Sequence, residues 1–258
     1  MKRLRIISAL RRFYKYWFCP LFDPVNFFSI LIRYVSFLRE WRNYSRLEGA
    51  EPLDFENSYP MITDRTATTR VDIHYFYQAV WAMERIARIK GSIHVDVGSE
   101  VGFIGMLTTH LPVLFIDIRP VRVKLPYLSS LAGSLLNLPL ATHSVISLSC
   151  LHVVEHVGLG RYGDPLNPLG TRLASEELSR VLMPGGDLFF STPVGRPRVC
   201  FNAHRIHTPQ QILTYFKGLE LVEFSVVDDR GQFMTDVQPE QMNTVNYACG
   251  LFWFRRPS

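Results

Sequence analysis

The sequence predicts an α/β protein on a mostly parallel, doubly wound sheet, with an antiparallel last strand and an N-terminal helical arm. Three observations carry this. Beyond Gly91, short apolar runs alternate with helical stretches, as in a parallel sheet covered on both faces. A strand, a glycine turn and a helix follow one another in His94-Val95-Asp96-Val97-Gly98-Ser99-Glu100-Val101-Gly102-Phe103-Ile104-Gly105. The last two apolar runs, 219–227 and roughly 247–254, have no helix between them, so they should pair as an antiparallel hairpin at the sheet edge.

Composition sets the bounds. The chain has 258 residues, 47% hydrophobic, 20% charged and 13% aromatic, which excludes disorder and collagen-like order. Cys19, Cys150, Cys200 and Cys249 are far apart with no C-x-x-C pair, so neither a disulfide framework nor a thiolate zinc site is indicated, and a reducing compartment is the simpler reading.

The net charge of +5 is unevenly spread: residues 1–46 carry ten Lys/Arg against Asp23 and Glu40. Residues 47–258 therefore hold 18 Lys/Arg and 21 Asp/Glu, a net negative charge, so the basic balance belongs to the arm.

The arm also holds twelve of the 33 aromatics. A spanning helix needs about 20 nearly uncharged residues, and Asp23 and Arg33 interrupt the run. Ile6, Ile7, Leu10, Phe13, Tyr14, Trp17 and Phe18 share one helical face, with Arg5, Arg11, Arg12 and Lys15 on the other. Asp23-Pro24 reads as an N-cap and a first-turn proline, and Phe27, Leu31, Tyr34, Val35, Leu38 and Trp41 form a second stripe. This helical hairpin is expected either to dock on an anionic bilayer or to add a helical layer to a domain or a second subunit. The first is favoured because aromatic and basic residues coincide, as interfacial anchoring requires. A cleaved signal peptide is disfavoured, since Lys15 interrupts the apolar region.

Residues 47–70 lack periodicity and read as a linker along the edge of a domain at 71–258. Within that domain the spacing of Tyr75, Val80, Met83, Ile86 and Ala87 predicts a helix ended by Gly91. Then come a strand at 93–97, a helix at 101–110, a strand at 113–118, a cramped stretch to 136 and a strand at 145–148. A Gly/Pro loop at 157–170, a helix at 171–183, a Pro184-Gly185-Gly186 turn and a strand at 187–191 follow. Thr208-Pro209-Gln210-Gln211 spells a capped helix start.

In the glycine turn, Gly98 lets a ligand approach the backbone and Gly102 lets the helix sit close to the strand. Asp117 ends the next strand, where a carboxylate can accept hydrogen bonds from ribose hydroxyls. The bland alternatives are a tight structural turn and a helix cap.

Several segments in order resemble the class I S-adenosylmethionine-dependent methyltransferases over roughly 75–254. They are Asp96-x-Gly98, the strand-end Asp117, Asn137-Leu138-Pro139-Leu140, Leu151-His152-Val153-Val154-Glu155-His156-Val157 and Arg180-Val181-Leu182-Met183-Pro184-Gly185-Gly186. The strings 96–99, 116–120 and 158–165 more narrowly resemble a methyltransferase-like family of unknown function. The resemblance implies a seven-stranded Rossmann-like sheet and S-adenosylmethionine as cofactor. It places Gly98 and Ser99 along the methionine end, Asp117 on the ribose, and Ser134 and Leu135 by adenine, with Asp96 and Gly102 also among the cofactor-binding residues. Glu100 replaces the usual middle glycine, and Ser134 replaces an acidic residue. The interval between Asp117 and Gly133 leaves little room for the usual helix and third strand.

Methyl transfer to oxygen needs alignment and a base near the acceptor. His152, Glu155, His156 and Asp164 are the candidates, with His152 first as base and helix capping as its alternative. The H-x-x-E-H spelling at 152–156 also occurs in zinc proteases, but here it follows a strand. A Glu-His pair holding a divalent ion, completed by His204 or His207, is the remaining metal reading; surface histidines are the simpler one. In the 157–170 loop, Arg161 and Asp164 either contact substrate or pair with each other. No basic-aromatic surface in 47–258 calls for nucleic acid.

The expected activity is therefore O-methylation of a small molecule or lipid-linked saccharide, in the cytoplasm or on the inner membrane face. A non-catalytic binding or scaffold protein of the same fold is the alternative. A nicotinamide-dependent oxidoreductase is disfavoured by the Pro184-Gly185-Gly186 segment and the paired last strands.

Overall fold

A computed structural model describes Tyr14 and residues 27–89 and 93–258. The expected first amphipathic helix, the Asp23-Pro24 cap and the Gly91 helix end lie outside these residues. The chain forms two compact units, Met1–Arg70 and Val71–Ser258.

In the first unit, helix α1 (Phe27–Tyr44) has Arg42 in its last turn, where a cation complements the helix dipole. Ile30 and Tyr34 are buried with Ile62, and Phe37 packs beside them. The Arg33 guanidinium donates to the Ile62 carbonyl at 2.9 Å, and Arg65 pairs with Glu40 at 2.9 Å. Within the stretch read as a linker, Ile62 and Arg65 contact α1, and a 3-10 turn at Phe55–Asn57 is capped by Asp54. Of the predicted apolar stripe, Tyr34 is buried, whereas Leu31, Val35 and Leu38 remain exposed, because Ile62 is the one buried apolar side chain of the covering segment in that cluster. Among the described residues, no helix is long and apolar enough to cross a membrane.

The second unit opens with α2 (Ile73–Ile86), capped by Asp72. Arg85 and Trp81 of α2 both donate to Glu223, Arg85 Nε at 2.9 Å and Trp81 Nε1 at 2.9 Å, tying this helix to strand β8 (Glu220–Val227). The other main elements are β1 (His94–Val97), α3 (Val101–Leu107), β2 (Val113–Asp117), β3 (Leu128–Ala132), β4 (Val145–Leu151), α4 (Gly170–Val181) and β5 (Leu182–Val194). A small hairpin, β6 (Arg198–Cys200) with β7 (His204–Ile206), precedes α5 (Pro209–Tyr215), whose Thr208–Gln211 capping box is formed as the sequence spells it. After β8 come β9 (Phe233–Met234) and β10 (Ala248–Arg255).

The sheet order is β3-β2-β1-β4-β5-β10-β8-β9. The first five strands run parallel, and β10 is antiparallel to both neighbours. Alternate residues feed two cores: Ile116, Phe190 and Phe252 on one face, Phe115, Phe189 and Leu251 on the other.

Two expectations need correction. The expected antiparallel pair forms, β10 with β8, but it is not outermost: β10 lies between β5 and β8, and the two-residue β9 ends the sheet. Ala248 to Phe252 are all buried, which suits an interior strand covered on both faces. The interval after Asp117 also does hold a third strand, β3, paired parallel with β2. What the short interval omits is the helix, since residues 118–127 have neither helix nor strand.

The register aligns Asp96 with Phe115 and Ser149, and Asp117 with Ala132. The carboxyl ends of β1, β2, β3 and β4 therefore meet at one edge, where open α/β sheets bind ligands.

Candidate active site

At that edge lies a cleft of about 740 Å³, open mouth included, lined among others by Gly98, Asp117, Ile118, Ser134, Leu135 and Val153. A second hollow, lined by Tyr75, Ser99, Glu100 and Val101, shares Gly98, Asp117, Arg119, His152 and Tyr162 with the first.

Gly98 has φ +74°, and a Cβ there would lie 2.9 Å from Val153 Cγ1 and 3.4 Å from Asp117 Oδ2. The left-handed turn and the narrow floor both require glycine. Asp117 accepts the Arg119 amide N–H on Oδ1 at 2.6 Å. Its Oδ2 has no hydrogen-bond partner among the described residues.

Asp96 does not line the cleft. It is fully buried, and its carboxylate takes the Ser99 amide at 3.0 Å, the Ser99 hydroxyl at 2.7 Å and the Ser149 hydroxyl. Burial raises its pKa to about 6 against the pull of these hydrogen bonds. Ser99 Oγ in turn accepts the Leu151 amide at 3.0 Å, so Asp96 and Ser99 fasten the β1 turn to β4. Beneath them His94 bridges Ser147 and Ser149, each at 2.7 Å. Because the Ser149 proton goes to Asp96, His94 Nε2 must donate to Ser149 and Nδ1 must accept from Ser147. Burial holds His94 neutral, with a pKa down at about 3.

Gly102 also stands outside the cleft. A Cβ on it would meet the Glu100 carboxylate at 2.8 Å, not the strand. Glu100 itself caps α3, accepting the Gly102 and Phe103 amides at 2.8 and 2.9 Å, and its φ of −63° suits any residue. Its replacement of a glycine therefore costs the turn nothing.

The four candidate catalytic residues separate into distinct environments. His152 lines the cleft, but its Nδ1 faces Glu155 Oε1 at 3.0 Å and its Nε2 faces Cys249 Sγ at 3.2 Å. Burial opposes its charge, yet Cys249 and Glu155 outweigh that and hold its pKa at about 10. Glu155 is wholly buried; burial pushes its pKa up, and His152 more than reverses this, so it stays below the ordinary carboxylate range. His152 turns its ring nitrogens to Glu155 Oε1 and Cys249 Sγ rather than to an acceptor, and Glu155 is too buried to reach one. This geometry disfavours His152 as the base.

Asp164 touches the cleft, but its carboxylate accepts the Gly158 amide at 2.6 Å and the Tyr162 amide at 3.3 Å. Burial would raise its pKa, but these amides lower it, so Asp164 shapes the loop. It does not pair with Arg161, which donates to the Ala203 carbonyl at 3.1 Å. Arg205 closes the loop ends by donating to Val157 O at 2.5 Å and Asn167 O at 2.9 Å.

His156 remains. It lines the cleft, and its Nδ1 lies 2.6 Å from the Ala203 carbonyl. Arg161 Nη1, a donor, lies 3.2 Å from the same nitrogen; the shorter contact to the carbonyl favours the proton on Nδ1 and the lone pair on Nε2.

Among the described residues, no group of three or more His, Cys, Asp or Glu could hold a metal ion. His204 packs near Tyr247 with centroids 5.5 Å apart. Burial pushes the pKa of His207 down to about 4.

Sequence reasoning missed Arg119 and Tyr162 as partners. The Arg119 guanidinium sits 4.2 Å from the Tyr162 ring centroid, closing a bridge over Asp117 between the two hollows. The Arg-Pro after β2 and the Tyr in the glycine loop were visible, but their meeting depends on how that loop folds.

Strand order, crossovers and the antiparallel β10 define the class I S-adenosylmethionine-dependent methyltransferase fold. The family described as Caenorhabditis protein of unknown function, DUF268, matches residues 142–248. Among solved structures, the [4+2]-cyclase SpnF is 15% identical with a TM-score of 0.53, covering 70% of this chain and 80% of that one. The N-methyltransferase NodS from Bradyrhizobium japonicum WM9, in complex with S-adenosyl-L-homocysteine, is 18% identical with a TM-score of 0.50, covering 71% and 88%. A protein in complex with the Trm112 methyltransferase activator of Haloferax volcanii is 16% identical with a TM-score of 0.50, covering 72% and 90%. At such identities the likeness is one of fold. No curated protein matches the sequence.

Proposed function

We propose that the chain is an S-adenosylmethionine-dependent methyltransferase acting on a hydroxyl of a small molecule or lipid-linked saccharide. The observation that carries this reading is an Asp117 oxygen with no partner among the described residues, in a cleft that Gly98 also lines. The lining suits a nucleoside in kind: Asp117 Oδ2 can accept from a ribose hydroxyl, and Ile118, Leu135 and Val153 offer apolar walls to a base. When bound, the cofactor supplies a methyl group on a sulfonium, so the protein's work is alignment and removal of the acceptor proton. His156 Nε2 is the group assigned to that proton. The fold alone does not fix the chemistry, as the cyclase among its likenesses illustrates.

The scaffold alternative loses one motive, because Glu100 fits the turn without strain. It keeps the other: Ser134 lines the cleft where an acidic residue was expected.

Calorimetry with S-adenosylhomocysteine separates the two. Binding in the micromolar range is expected, weakened at least roughly tenfold in Asp117→Ala, the loss of about one charge-assisted hydrogen bond. No heat from the intact chain would favour the scaffold. With an acceptor in hand, His156→Gln should lower kcat by roughly 100-fold or more. An unchanged kcat would remove His156 from the chemistry.

A further inference from the structure

We propose that the exposed face of α1 is a docking surface for an anionic lipid bilayer. The inference concerns the first unit and does not rest on the methyltransferase reading.

Ile30 and Tyr34 of α1 are buried against Ile62, yet Leu31, Ile32, Val35 and Leu38 stay 39%, 70%, 57% and 50% exposed. Projected along the helix, these four share an arc of about 120° with Arg39 and Arg42, also exposed. The face therefore begins apolar and ends cationic. Such an arrangement lets side chains enter the acyl boundary at one end while guanidinium groups meet headgroups at the other.

Charge selects the occupant. The 26 residues before α1 carry Lys2, Arg3, Arg5, Arg11, Arg12 and Lys15 against Asp23, together with Phe13, Tyr14, Tyr16, Trp17, Phe18 and Phe22. A second copy would bring the same cations against themselves, whereas a negatively charged leaflet neutralises them. With Arg33, Arg39, Glu40 and Arg42 along its length, α1 would lie in the interface plane.

The test is co-sedimentation of the full chain with phosphatidylcholine vesicles, with and without phosphatidylserine. Binding is expected with the phosphatidylserine vesicles. It should fall at least roughly tenfold when Ile32→Asp is combined with Val35→Asp. A fall of roughly tenfold or more is also expected when Arg39→Gln is combined with Arg42→Gln. These side chains are exposed, so both variants should stay folded, with thermal unfolding shifted by a few degrees at most through loss of the Arg42 charge at the end of α1. Equal binding to the two vesicle types, or binding retained in either double variant, would overturn the proposal. So would an absence of vesicle binding together with a dimer that Ile32→Asp and Val35→Asp dissolve, since a second copy would then cover the face.

Discussion

Gly98→Ala is expected to cut the affinity for S-adenosylhomocysteine by roughly 10- to 100-fold while the protein still folds. Two penalties act at one atom. The residue holds φ +74°, which costs an L side chain about 1–2 kcal/mol. The new methyl would also stand 2.9 Å from Val153 Cγ1 and 3.4 Å from Asp117 Oδ2, crowding the place where a ribose must approach; overpacking of this kind costs about 1–3 kcal/mol. Calorimetry beside a thermal melt separates the effects, since backbone strain lowers Tm by a few degrees whether or not the cleft binds anything. A variant with lowered Tm and undiminished affinity would move the ligand away from this turn.

The second large effect is on stability. His152→Ala leaves Glu155 wholly buried, with His156 Nε2 no closer than 3.8 Å. Removing one partner of a buried pair costs about 3–5 kcal/mol, so the variant should unfold well below the wild type. A pH dependence accompanies it. His152 has a folded pKa of about 10, raised above the ordinary histidine value. Its stabilisation is therefore complete below about pH 6.5 and is lost as pH rises towards 10. His94 and His207 act in the opposite sense, with folded values of about 3 and 4. Their contribution is complete above about pH 6.5 and is lost as pH falls. Unfolding midpoints measured from acid to alkaline pH should show both limbs in the wild type and a flattened alkaline limb in His152→Ala. Parallel curves would show that His152 is not charged in the fold.

Much of this was legible in sequence because it is local. The passage from His94 to Gly105 announces strand, turn and helix within twelve residues, and Asp117 follows at the end of the next apolar run. Thr208 and Gln211 spell their capping box outright. What escaped depends on contacts distant along the chain. Asp96 reads as a ligand until the β1–β4 register brings Ser149 beside it. His152 reads as a base until β10, entering the middle of the sheet, sets Cys249 against its ring, 97 residues further on. Gly102 reads as a packing glycine, although the group it makes room for is Glu100, two positions before it. Tyr162 gave no periodic signal, because a loop closed by Arg205 positions it.

The central claim is that the mouth of the first parallel strands holds an adenosyl group by Asp117. A crystal structure grown with S-adenosylhomocysteine tests this most directly. The account predicts ribose hydroxyls within about 2.6–3.2 Å of the Asp117 carboxylate, with the base between Ile118 and Leu135. Crystals from saturating ligand with Arg119 and Tyr162 filling the cleft, or with the nucleoside bound elsewhere, would contradict it.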